Sequence, residues 1–180
     1  LPVIIGMVPS ALAFGLLAKS AGLTLSESVF MSAVVFAGAS QFAALNLMMA
    51  GTSLIGILVT TALLNARHIM MGSSITQRMK PMDPFKKLAL FFMLTDESFS
   101  IASLQKDDAV EPAFLWGVQL PIYFTWTSVT ALGYLGTSVL PQAVQQSMGI
   151  AIYALFAALI IPSTRTSRAA LIVTASAMAL

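Results

Sequence analysis

Seven runs of apolar residues follow one another along this chain, at roughly 3–18, 29–50, 53–72, 88–104, 113–135, 148–162 and 169–180, with only short polar breaks between them. Several approach the ~20 residues that a helix needs to cross a bilayer. Where lipid surrounds such a run, its backbone must satisfy its own hydrogen bonds, so the runs are expected to be helices. The breaks, "KSAGLTLSES", "QRMKPMDPFKK", "QKDDAVEP", "GTSVLPQAVQQS" and "PSTRTSR", carry turn and interface chemistry. Composition agrees. The chain is 58% hydrophobic and only 9% charged, with mean hydropathy +0.90, whereas soluble domains carry roughly 25% charged residues. The expected fold class is all-α: a polytopic integral membrane helix bundle of about seven segments, some broken or re-entrant, forming one transmembrane domain over 1–180.

The same composition excludes several function classes. There is no cysteine and only one histidine, His68, which rules out disulfide scaffolds, thiolate metal sites and histidine-rich metal sites within these residues. No metal, cofactor or catalytic residue is expected. The net charge of +2 sits in loops between apolar runs and does not point to nucleic acid. The sequence opens at Leu1 and stops inside the run "ALIVTASAMAL", which reads as a chain trimmed at both ends.

Positive charge sets an expected orientation. Arg78, Lys80, Lys86 and Lys87 share one loop, expected to be cytoplasmic, and Lys19 falls on that side by parity. The next loop, with Lys106, Asp107, Asp108 and Glu111, is expected outside. Arg165 and Arg168 break the rule if every run spans. The 148–162 run is short, so a re-entrant path and a short tilted helix both stay open. A weak repeat pairs "GMVPSALAFGLLAKSAG" with "GVQLPIYFTWTSVTALG", and "FMSAVVFAGASQFAAL" with "SMGIAIYALFAAL". Internal repeats with Gly- or Pro-interrupted helices are common in secondary transporters, and chance similarity among Ala- and Leu-rich helices is the alternative.

Three stretches place polar groups where lipid is expected. In "VFAGASQFAALN", Gly38 and Ser40 allow close backbone approach, and Gln41 and Asn46 bring amides with donors and acceptors. These are candidate substrate-binding residues, with helix–helix adhesion as the alternative. In "LVTTALLNARHIMMGSS", Asn65 joins that set, and Arg67 and His68 follow within three residues. Arg67 stands ~20 Å along the helix from Leu54, so it either snorkels or borders a wet cavity. In "FFMLTDESFSIAS", Asp96 and Glu97 fall near the middle of their run, where a carboxylate costs about 2.5–3.5 kcal/mol on insertion scales. Adjacent helical residues point about 100° apart, so the two acids need different partners. Arg67, Asp96 and Glu97 sum to minus one with His68 neutral, and one proton balances the set. This is the pattern of a protonatable, partly compensated site for proton coupling or ion pairing.

The motifs "VFAGASQFAAL", "LLNARHIMMG" and "FMLTDESFS", in this order and spacing, resemble the AzlC/YgaZ family of branched-chain amino acid exporters, and "GMVPSALAFGLLAKSAGL" resembles that family's first helix. The resemblance covers residues 6–104 closely and the rest more loosely. It implies a multi-pass exporter of leucine, isoleucine, valine and sometimes methionine in the bacterial cytoplasmic (inner) membrane, working with a small hydrophobic AzlD/YgaH-like subunit. Residue chemistry leaves two rivals: a non-transporting membrane scaffold subunit, and an intramembrane serine hydrolase built on Ser40 and His68. The hydrolase motif fails, because Gln41 stands where a Gly-x-Ser-Gly loop needs glycine.

Overall fold

A computed structural model of the protein describes residues 2–105 and 109–136. The expectations for 148–162, 169–180, Arg165, Arg168 and "SMGIAIYALFAAL", and for Lys106, Asp107 and Asp108, lie outside them. Among the described residues the chain forms seven helices: α1 (Pro2–Ser20), α2 (Leu25–Val34), α3 (Gly38–Met49), α4 (Leu54–Arg78), α5 (Pro84–Phe92), α6 (Asp96–Ser103) and α7 (Pro112–Gly136). Five apolar runs account for them, because the second and fourth are each broken in two. The protein is an all-α membrane helix bundle. α1 and α4 are long and apolar enough to cross a bilayer, and α7 spans 25 residues, or ~37 Å.

Local chemistry sets the helix ends. Thr24 and Glu27 form a reciprocal capping box at the start of α2. Ser53 caps α4 through the Gly56 amide, and Asp83 caps α5, with Pro84 in the first turn. α1 and α3 both end at a glycine with positive φ, Gly22 and Gly51. Each lets the next residue's amide reach back five positions to a helical carbonyl, Leu23 to Ala18 and Thr52 to Leu47.

The two breaks reverse the chain. The Val110 amide donates to the Arg78 carbonyl at 2.7 Å, Arg78 Nη2 donates to the Gln105 carbonyl at 2.9 Å, and Lys80 pairs with Glu111. The end of α6 therefore returns to the end of α4 from which α5 set out. α5 and α6, nine and eight residues long, make a re-entrant hairpin. At the opposite end of the bundle, Tyr134 near the end of α7 donates to the Leu23 carbonyl at 3.0 Å, and Lys19 lies over its ring. α3 runs back along α4 to the short 50–53 connection at that same end. Gln41 Nε2 on α3 donates across the turn to Ser32 Oγ on α2 at 3.1 Å. So α2 and α3 form a second re-entrant hairpin, entering from the other end.

This corrects the expected topology. The 109–111 segment lies at the same end as Arg78 and Lys80, and Lys19 lies at the opposite end. The parity count treated each broken run as one crossing, whereas each turns back. The repeat differs as well. Gly38 to Asp96, Leu54 to Pro112 and Arg78 to Gly136 are each 58 residues apart. A hairpin followed by a 25-residue helix thus occurs twice, entering from opposite ends, as in inverted-topology transporters. The sequence pairing of α1 with α7 reflects something else. Those two helices cross with Gly15 against the Thr130 backbone and Gly133 against the Leu12 backbone, where any Cβ would collide with a carbonyl oxygen.

Two apolar clusters hold the hairpins. Phe14 packs on Phe42 and Trp126, with ring centroids 5.6 and 6.2 Å apart, beside the first hairpin. Met71, Ile75, Leu90, Leu94, Ala102 and Leu115 pack the second against α4 and α7.

Candidate functional site

The hairpin tips meet the middle of α4. Ser40, in the first turn of α3, hydrogen-bonds Asn65 Oδ1. Two residues further along α4, Arg67 Nη1 pairs with Asp96 Oδ2 at 2.8 Å, on the first residue of α6. Asn65 and Arg67 are each 11 residues, ~16 Å, from their own end of a 25-residue helix. Successive α4 residues turn by 100°, so these two project to different sides, and each side receives one tip.

The first tip is neutral. Its Phe36 takes φ +42°, an uncommon value for a bulky residue, and its ring packs on Tyr123 at 4.9 Å. Ala37 occupies the N-cap of α3 without a side-chain cap. The first helical acceptor is taken by the Gln41 amide, so the amides of Gly38, Ala39 and Ser40 have no hydrogen-bond acceptor among the described residues. They lie at the positive end of the α3 dipole. Gly38 keeps that end open against Trp126, whose ring would stand 3.0 Å from an added Cβ.

The second tip is capped and acidic. Thr95 Oγ1 accepts from the Ser98 amide at 3.2 Å, and Ser98 Oγ accepts from the Thr95 amide at 2.9 Å. Asp96 and Glu97 follow in the first turn, where the dipole favours negative charge. Asp96 has Arg67. Glu97 is half-buried and makes no ion pair among the described residues. Two acids for one arginine is therefore the local arrangement. The Arg67 Nε is buried without a hydrogen-bond partner among the described residues.

The remaining candidates separate. Gln41 is fully buried and its amide is committed: Trp126 Nε1 donates to Oε1 at 3.0 Å, and Nε2 continues the chain through Ser32 and Thr130 to the Trp126 carbonyl. Each hydroxyl in this chain both accepts and donates, so the network pins the first hairpin to α7. Asn46 is exposed and donates to the Phe42 carbonyl at 3.0 Å, away from the tip. His68 is half-buried, with Nδ1 3.2 Å from the Asn65 carbonyl oxygen. Ser40 bonds Asn65 rather than His68, so no nucleophile–base pair is formed here. His, Asp and Glu form no metal-sized cluster among the described residues.

One residue escaped the sequence reading. Gln119 on α7 is fully buried, and neither Oε1 nor Nε2 has a partner among the described residues. Leaving a buried amide group unpaired costs about 1–3 kcal/mol. Its signal was present as a lone amide in the apolar run "LWGVQLPIYF", the same signal that singled out Gln41.

Comparison with known proteins sets this arrangement in a family. The family model described as AzlC protein matches residues 2–140. An uncharacterized membrane protein of Archaeoglobus fulgidus is 34% identical over 181 residues, covering 99% of this chain and 79% of its own. The inner membrane protein YgaZ of Escherichia coli is 33% identical, covering 91% of this chain and 69% of its own. The branched-chain amino acid transport protein AzlC of Bacillus subtilis is 30% identical over 74% of this chain, which spans about half of that relative, 53%. No solved structure matches. With the family model covering more than half of the chain, and two relatives at 34% and 33% identity aligned over 99% and 91% of it, this protein belongs to the AzlC family.

Proposed function

We propose that the protein is a secondary transporter that exports the branched-chain amino acids leucine, isoleucine and valine, with methionine as a secondary cargo, across the cytoplasmic membrane, coupled to protons. One observation carries this reading: two re-entrant tips of opposite character converge on one stretch of one helix. A zwitterion needs an anion site and a cation site. The uncapped amides of Gly38, Ala39 and Ser40 suit its carboxylate, as half-helix N-termini do in other transporters. Asp96 and Glu97 suit its ammonium. Ser40 and Asn65 sit between, and Gln41 braces the first tip from behind. The name of the B. subtilis relative supports the cargo class, and the repeated hairpin-plus-helix unit supports alternating access.

Glu97 is the proton carrier in this reading, because Asp96 is held by Arg67, and His68 is the relay one residue from that pair. A small AzlD/YgaH-like subunit is the proposed partner. α4 exposes Leu54, Ile55, Leu58 and Leu63, a surface suited to lipid or to such a subunit. The basic end with Arg78, Lys80, Lys86 and Lys87 is the proposed cytoplasmic face.

Proteoliposomes with an imposed pH gradient test the assignment. Wild-type protein should move leucine uphill. Glu97→Gln should fold and keep leucine exchange but lose uphill movement, since an amide cannot exchange the proton. Unaltered gradient-driven transport in Glu97→Gln, Asp96→Asn and His68→Gln together would sink proton coupling through this cluster.

A further inference from the structure

We propose that Gln119 is a substrate-contacting residue, sealed in this conformation and exposed when the path between α7 and the α5–α6 hairpin opens, where its amide binds the polar head of a zwitterionic amino acid. The inference rests on the transport reading above.

Gln119 lies on a buried stripe of α7 formed by Leu115, Gln119, Ile122, Trp126 and Thr130. Its neighbours along α7 are tied to the two tips. One turn before it, Leu115 packs in the cluster that holds Leu90 and Leu94 of the second hairpin. One turn after it, Tyr123 touches Phe36 at the first break and stands 6.4 Å from Phe92 at the second. Two turns after it, Trp126 covers Gly38. Gln119 is therefore on the part of α7 that passes both helix breaks.

Its chemistry is out of keeping with a packing residue. Among the described residues the other fully buried glutamine, Gln41, has both amide atoms bonded. Gln119 has neither among the described residues, whereas the buried hydroxyls of Ser32, Ser40, Ser98 and Thr130 are bonded, and Thr127 Oγ1, two turns further along α7, is the one other atom of that helix's side chains left buried and unpaired among the described residues. An apolar side chain of the same size would fill the place at lower cost. Opening the path relieves the unpaired amide, so its burial favours the open state. An amide also offers a donor to a carboxylate and an acceptor to an ammonium, the two groups of an amino-acid head. Arg67 Nε, on the helix that receives the tips, is likewise buried and unpaired.

These 180 residues hold no cysteine, so a single cysteine placed among them gives a direct test once any cysteine elsewhere in the full chain has been replaced by serine. Gln119→Cys is reconstituted and treated with a small methanethiosulfonate reagent, with L-leucine or L-glutamate present or absent. Labelling slowed at least fivefold by leucine but not by glutamate is expected. In parallel, Gln119→Leu and Gln119→Met should lose at least tenfold in leucine transport while melting no lower than wild type. Asn65→Cys serves as the reference position. Leucine protection at Asn65→Cys without protection at Gln119→Cys, with leucine raised at least a hundredfold to saturate the weakened variant, overturns the inference and leaves the transport reading intact, as does wild-type transport by either apolar variant. Protection of both positions by another zwitterion and not by leucine overturns the proposed cargo while supporting the role of Gln119. Absence of protection by any amino acid, together with absent transport in wild-type protein, overturns both.

Discussion

The two re-entrant hairpins are alike in backbone and opposite in chemistry. Each enters from one end of the bundle, turns near mid-depth and is followed by a 25-residue helix. The first tip has no side-chain cap, leaves amides of α3 unpaired, and is braced by a neutral chain from Gln41 to Trp126. The second has a reciprocal Thr95–Ser98 cap and two carboxylates, one held by Arg67. The difference shows how a repeated scaffold makes an asymmetric site. Where a tip supplies its own cap its backbone donors are taken and only its carboxylates are left for a cation, and where it lacks a cap its backbone donors stay available to an anion. Neutral bracing suits the first tip, because a charge beside unpaired amides would occupy them.

The largest expected effect comes from removing the counter-ion. Arg67→Leu leaves Asp96 unpaired. Breaking a buried pair costs about 3–5 kcal/mol, and with side chains 28% and 30% exposed roughly 1–3 kcal/mol is expected. Adding Asp96→Asn should restore part of the melting temperature, and no recovery would mean that Arg67 acts through packing instead. Thr95→Ala removes the second cap and should cost about 1 kcal/mol in detergent-solubilised protein. A neutral result would show that α6 is held by tertiary contacts alone. The converse change, Ala37→Ser, gives the first tip the cap it lacks. It should stabilise by up to about 1 kcal/mol yet slow leucine transport, because the new hydroxyl occupies the amides. Faster transport would contradict an anion role for α3. Glu97→Gln should shift stability least, within about 0.5 kcal/mol, since no ion pair is lost. A large drop in its melting curve would show that Glu97 has a structural partner.

Much of the helical content was legible in the sequence, because each apolar run must bond its own backbone in lipid and few residue types end a helix there. The expected start of α4 near residue 53 and of α7 near 113 lies within one residue of the observed ends. The two breaks were less legible. Val35, Phe36 and Ala37, and Met93, Leu94 and Thr95, are apolar apart from one threonine, so the second break carries no Gly or Pro signal and the first has only Gly38 at its edge. The positive φ at Phe36 goes with the packing of its ring on Tyr123, 87 positions away in the chain. Gln41 and Asn46 looked equivalent as amides in one run. Burial against Trp126 gave the first a network, and exposure near the end of α3 removed the second from the tip.

What the sequence by itself determined is that this protein is a membrane-embedded helical bundle with an arginine, two acids and several amides inside its apolar runs. Hydropathy is local, and a charge inside an apolar run is visible wherever it falls. What only the tertiary structure decided is that the broken runs turn back rather than cross, that they do so from opposite ends, and that Asp96 rather than Glu97 takes Arg67. Those outcomes depend on contacts between residues far apart in sequence, such as Val110 with Arg78 and Tyr134 with Leu23. The direction of a chain after a break has no local energetic preference strong enough to settle it. The helices that receive the two halves supply it.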